Sequence, residues 1–146
     1  MARTLLLASG RSLFGLDIRD VREVLKGEPV HQVPLAPAGL LGAINVHDTV
    51  VPVIDFGRLL GRDHAPVDQV VVLESHPLAL AVTAVHGLCT PVLCLPGGIV
   101  HPWVHEVFIS SRGIAGLIDA VVLQQTLQRW LTPAGCMTSA SRPDRI

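Results

Sequence analysis

The stretch Leu40-Leu41-Gly42-Ala43-Ile44-Asn45-Val46-His47-Asp48-Thr49-Val50-Val51-Pro52-Val53-Ile54-Asp55-Phe56 carries two apolar runs, Leu40 to Val46 and Thr49 to Asp55, held apart by His47-Asp48 alone. Branched side chains fit a pleated surface better than a helical turn, so each run reads as a strand. Two residues is the length of a tight hairpin turn, although the usual Asn-Gly or Asp-Gly pair is missing. Pro52 lacks a backbone donor, which predicts an edge strand or a bulge at that point. Asp55 can cap a brief helix over Phe56 to Leu60, and the polar stretch Gly61 to Asp68 is the best boundary between two halves.

Working outward, Thr4 to Ala8 and Ser12 to Leu16 form a second hairpin around Ser9-Gly10-Arg11. Asp17 can cap a short helix from Ile18 to Leu25, because Ile18, Val21, Val24 and Leu25 fall at helical spacing. Val30 to Val33 is a short strand, and Pro34-Leu35-Ala36-Pro37 forbids regular structure. Beyond the polar stretch come strands at Val70 to Leu73, Leu78 to Val85 and Leu88 to Leu95, then a loop at Pro96-Gly97-Gly98. A third hairpin pairs Glu106 to Ile109 with Ile114 to Ile118. Ala120 to Leu131 reads as an amphipathic helix with Leu123, Leu127 and Trp130 on one face. Residues 132–146 are polar and without periodicity, which predicts a disordered tail. No internal repeat is strong enough to read from residues alone. Many short strands separated by turn signals point to barrels or a sandwich.

Among 146 residues only five are aromatic, three Phe and two Trp, so the core must be built from Val, Leu, Ile and Ala. Net charge is -1, with no basic block, which argues against nucleic acid as a partner. The apolar start Leu5-Leu6-Leu7-Ala8 is too short for a signal-peptide core, and no apolar run reaches the ~18 residues a membrane span requires. The three cysteines, Cys89, Cys94 and Cys136, are an odd number that suits a reducing compartment better than a disulfide framework. Together these features predict a cytoplasmic protein.

Candidate chemistry is sparse. His101 and His105, with Glu106 adjacent, have the spacing of a zinc motif, but such a motif needs a helix and Pro102 opposes one. Cys89 with His86 could form a nucleophilic pair, yet a cysteine in an apolar strand is ordinarily core packing. Asp17, Asp55 and Asp119 each stand where a strand gives way to a helix, where capping accounts for them. No catalytic residue, metal site or cofactor is therefore expected, and the chemistry left is binding other proteins.

The segment Phe14-Gly15-Leu16-Asp17-Ile18-Arg19-Asp20-Val21-Arg22-Glu23-Val24 resembles the CheW-like domain of bacterial chemotaxis coupling proteins. So does a second block, comprising Val33-Pro34-Leu35-Ala36-Pro37, Leu40-x-Gly42-Ala43-Ile44-Asn45 and Thr49 to Phe56. The two blocks stand at the family's spacing over residues 4 to 60, and the match is looser beyond, with His86 to His105 shortened. The resemblance implies two packed SH3-like barrels of five strands each, a short helix in the first half and the amphipathic helix at the end. It places one such domain over residues 1–131, with subdomains of roughly 1–62 and 63–131 that are not strictly contiguous. It also implies a non-enzymatic adaptor between the cytoplasmic tip of chemoreceptors and the regulatory domain of a histidine kinase.

Carried over residue by residue, the resemblance marks Val21 and Glu23 as partner-facing positions, together with the hairpin tip Asn45, His47 and Asp48. The family's tip reads Asn-Leu-Arg-Gly, and here it is Asn45-Val46-His47-Asp48. Exchanging Arg-Gly for His-Asp removes a permanent cation, adds an anion and takes away the glycine that relaxes the turn. The departure implies altered partner choice, as in a paralogue serving another pathway such as surface motility.

Overall fold

The computed structural model describes residues 3–36, 39–61, 67–74, 76–96 and 101–131, with backbone only at Leu93, Trp130 and Leu131. Eleven strands fill most of that length. In chain order they are β1 (Thr4–Ser9), β2 (Ser12–Asp17), β3 (Val21–Lys26), β4 (Leu40–Val46), β5 (Thr49–Asp55), β6 (Gln69–Leu73), β7 (Ala79–Val82), β8 (Ala84–Cys89), β9 (Val92–Pro96), β10 (Val104–Ser110) and β11 (Gly113–Ile118). Two α-helices complete the set, α1 (Phe56–Leu59) and α2 (Ala120–Leu131).

The strands form two sheets, one in the order β8-β1-β2-β11-β10-β9 and the other in the order β3-β6-β7-β5-β4. The protein is thus mostly β with two β subdomains, although neither sheet closes into a barrel. The expected halves are interleaved along the chain: β6 and β7, which follow the polar stretch, pair with β3 and β5, which precede it. Residues 62–66 of that stretch lie outside the described residues, as do Pro37, Gly97, Gly98, Cys136 and the expected tail 132–146.

A topological repeat invisible in the residues is plain in the pairing. Read from β8, the steps to β1, β2, β11 and β10 are antiparallel, antiparallel, parallel and antiparallel. Read from β3, the steps to β6, β7, β5 and β4 repeat that order. Each parallel pair leaves one strand, β5 or β11, running into an aspartate-capped helix.

The largest core lies between the sheets. Leu5, Leu7, Phe14 and Leu16 meet Ile54, Val71, Leu73 and Leu80 there, joined by Leu123 and Leu127 of α2. Phe14, Phe56 and Trp103 meet at its centre with ring centroids 5.0 to 5.6 Å apart. Each sheet also wraps a smaller core of its own, around Val53 and Val72 in one and around Leu6 and Phe108 in the other.

Several expectations need correction. The helix expected from Ile18 to Leu25 is a single 3-10 turn, Ile18–Asp20, followed by strand β3. The cause is a bulge: the β3–β6 register shifts between Val21 and Glu23. One extra residue in a strand turns period two into a spacing of three, so Val21 and Val24 both reach the inter-sheet core and imitate a helical stripe. The strand expected at Val30 to Val33 reduces to one bridge, His31 to Ala43. Leu78 to Val85 is not one strand, because the chain leaves one sheet for the other at Thr83, whose amide donates to Ala8 O at 2.9 Å. Thr90 and Pro91 likewise split Leu88 to Leu95 into β8 and β9.

Strand β5 is interior, against the expectation drawn from Pro52. Val46 and Thr49 close the turn, which makes Ala43 opposite Pro52 a pair without mutual hydrogen bonds. Ala43 accordingly spends its amide and carbonyl on His31, both at 2.8 Å. On the other side, pairing with β7 begins only at Val53, so the missing donor of Pro52 leaves no gap in either ladder.

Candidate functional site

Of the five positions marked as partner-facing, two are brought into contact from opposite edges of one sheet. Glu23 stands on edge strand β3, and His47 stands in the turn between β4 and β5. The sheet curls until Glu23 Oε1 lies 3.0 Å from His47 Nε2, across a seam where β3 and β4 share no ladder. The approach is within contact distance. Its angle is wrong for a hydrogen bond, however, and the buried Oε1 is left without a donor.

His47 and Asp48 hold φ angles of 49° and 66°, so both central residues of this two-residue turn are left-handed. That is the geometry whose twist matches a hairpin, reached here without the glycine that makes it easy. Asn45 is exposed one pair back from the turn, opposite Val50, which is 71% exposed. With His31, Ala43 and Ile44 they line a shallow, almost wholly apolar depression of about 290 Å³. Val21 stands apart from this group, half-buried against the inter-sheet core.

A second surface was missed in the sequence. A groove of about 400 Å³ lies beside the start of α2 along the six-stranded sheet, lined by apolar Leu117, Ile118 and Val121 and by the carboxylates Asp17, Asp20 and Asp119. Two of these carboxylates have structural duties. Asp17 Oδ1 accepts the Arg19 amide at 2.9 Å, and its carboxylate takes the Arg19 guanidinium through two contacts of 3.1 and 2.8 Å. Those bonds hold Asp17 below the usual aspartate range. Asp119 Oδ1 caps α2 by accepting the Val121 and Val122 amides at 3.1 and 3.3 Å. Asp20 is pushed the other way, first by burial and then by the charges of Asp17 and Asp119. The available signal was the recurrence of aspartate at strand ends, but nothing in the spacing says that two strand ends and a 3-10 turn converge.

The residues considered for chemistry are dispersed. His101 lies in a turn and stacks on Trp103, centroids 4.8 Å apart, while His105 is on β10, so no helix face joins them. Among the described residues no group of three or more His, Cys, Asp or Glu is placed to hold a metal ion. Burial pushes the Cys89 thiol up, and burial together with Arg112 pushes His86 down. A thiol shifted in that direction is a poorer nucleophile at neutral pH.

Comparisons with known proteins agree with this architecture. The family model of the CheW-like domain matches residues 3–124. A chemotaxis protein CheW of Rhizobium meliloti is 35% identical over 86 residues, 56% of this chain and 56% of its own. A probable chemotaxis protein CheW of Rhizobium etli is 29% identical over 94 residues, 64% of this chain and 61% of its own. These matches thus span somewhat over half the length of the curated relatives. Among solved structures, the scaffolding protein TtCheW of Thermoanaerobacter tengcongensis superposes with a TM-score of 0.71 at 23% identity, covering 80% of this chain and 88% of that one.

Proposed function

Because the chain belongs to the CheW-like domain family, we propose that it is a non-enzymatic signalling adaptor of the cytoplasm, joining a chemoreceptor tip to the regulatory domain of a chemotaxis-type histidine kinase. The observation that carries the proposal is the placing of two unlike surfaces on one short segment. Asp17 and Asp20 line the groove beside α2, and Glu23, a few residues on, reaches the hairpin tip. The groove's apolar lining of Leu117, Ile118 and Val121 is of the kind a helical segment packs against, which suits the receptor's helical tip. The seam and its exposed Val50 form a separate face for the kinase domain.

A second reading is favoured by the tip itself. His47-Asp48 is about two charge units more negative than Arg-Gly, and charge at an interface rim governs partner choice. In this reading the chain is a scaffold in another pathway, such as surface motility. Pull-down against a receptor cytoplasmic tip and a kinase regulatory domain separates the two. Capture of both, singly and together, is expected for the adaptor. Capture of neither, with the fold intact, sinks it.

A further inference from the structure

We infer that Glu23 is the receiving carboxylate for a guanidinium group on the bound partner, which takes the place that His47 holds in the free chain. The inference rests on the adaptor reading only for the existence of a partner. Its physical basis is the buried Oε1 of Glu23, which has His47 Nε2 at 3.0 Å and yet makes no hydrogen bond. A buried carboxylate oxygen without a donor is costly, so any group that can supply one in good geometry is favoured.

His47 is a poor permanent cover. Its side chain is 77% exposed, and its turn holds two left-handed residues other than glycine. Rotating the ring into solvent uncovers Glu23, whose side chain is already 29% exposed. A guanidinium offers planar paired donors that match both carboxylate oxygens at once, which one imidazole nitrogen cannot do. Asp48, next to His47 in the turn, adds a second carboxylate that favours an incoming cation. A lysine would bring the charge without the fork, and so would leave the geometry of Oε1 unimproved.

The test is a titration of the full ¹⁵N-labelled chain with Nα-acetyl-arginine amide. Nα-acetyl-citrulline amide serves as the neutral probe of the same shape and Nα-acetyl-lysine amide as the charged one. Arginine is expected to move the amide signals of Glu23, Asn45 and His47 and citrulline to leave them in place, with lysine clearly weaker than arginine. His47→Ala should tighten arginine binding by a factor of a few, because the competing ring is gone. Glu23→Gln should abolish the response while the rest of the spectrum remains folded, and His47→Arg should suppress it by filling the site from within. An equal response to citrulline or lysine, or one that survives Glu23→Gln, overturns the inference. No partner protein enters this titration, so its failure is distinct from a failed pull-down.

Discussion

Two parts of the molecule share one plan and carry it out with different chemistry. In each, an antiparallel hairpin with a two-residue turn runs into an aspartate-capped helix: β4, β5 and α1 in the first unit, β10, β11 and α2 in the second. The first turn puts both of its residues in the left-handed region without a glycine. The second leaves that conformation to Gly113, at φ 131°, and braces itself through Ser110, whose Oγ accepts the Arg112 amide at 3.2 Å and donates to Gly113 O at 2.6 Å. The second turn is ordinary turn chemistry. The first holds two non-glycine residues in that region at the turn that brings His47 to Glu23, and backbone conformations of that kind gather where a surface is used. The pair behind each turn differs as well, Asn45 with Val50 in one and Ile109 with Ile114 in the other.

The largest expected effects concern how each unit grips the common core. The short α1 relies on Phe56, which is fully buried against Phe14 and Trp103, whereas α2 relies on Leu123 and Leu127. Phe56→Ala should cost about 3–5 kcal/mol and Leu127→Ala about 2–5 kcal/mol in urea denaturation. Removing both leucines of α2 should leave no cooperative transition. A cost for Phe56→Ala well below that of Leu127→Ala would mean that the first unit is held by its strands alone.

The caps come next. Asp55 is buried, and its Oδ1 accepts the Gly57 amide at 3.0 Å. Asp119 is half-buried, so water can take over its two amides. Asp55→Ala should therefore cost about 2 kcal/mol and Asp119→Ala about 1 kcal/mol, the upper and middle of the range for lost caps. Equal costs would show that the sealed and open caps do the same work.

How much of this was legible depended on whether the deciding interaction was local. The hairpin from Leu40 to Asp55 and the helix from Ala120 to Leu131 were readable to the residue, because alternation, spacer length and helical spacing all act within a few positions. The segment after Asp17 misled, since its bulge is imposed by pairing with β6, some fifty residues away. The crossing at Thr83 was hidden for the same reason: two apolar runs on different sheets look continuous in one dimension. At the site, Glu23 and His47 were marked by resemblance, but their meeting follows from sheet curvature. The groove needed two distant strand ends and a 3-10 turn to converge, which no local pattern reports.

The turns themselves give a smaller contrast, of opposite sign in the two units. Asp48→Gly should stabilise by about 0.5 kcal/mol, because glycine occupies the left-handed region without steric cost. Gly113→Ala should destabilise by about 1 kcal/mol for the converse reason. Thermal denaturation of the two variants side by side measures both. If Asp48→Gly destabilises, the strain assigned to the first turn is compensated by contacts of Asp48 itself.

The smallest effect bears on the second unit's cap, because Asp119 shares the groove with Asp17 and Asp20 while Asp55 is sealed in the interior. Asp20 is pushed above the usual aspartate range, so the folded chain holds its proton more tightly than the unfolded chain does. Stability from this group is then present below the ordinary aspartate value near ~3.9 and is lost as pH rises through the raised one. Asp17, held low by Arg19, has the opposite sign: its contribution is present at neutral pH and is lost as pH falls through its lowered value. Asp20→Asn removes the first effect and leaves the second. Variant and parent should match near pH 3, separate above ~3.9, and differ at pH 7 in the variant's favour. Much of Asp20 is solvated, so the gain should be well under ~1 kcal/mol. Urea midpoints of the two proteins across that range decide it. A variant less stable than its parent at pH 7 would mean that the carboxylate makes a favourable contact, and that the groove's edge carries no uncompensated charge to set it apart from the sealed cap of the first unit.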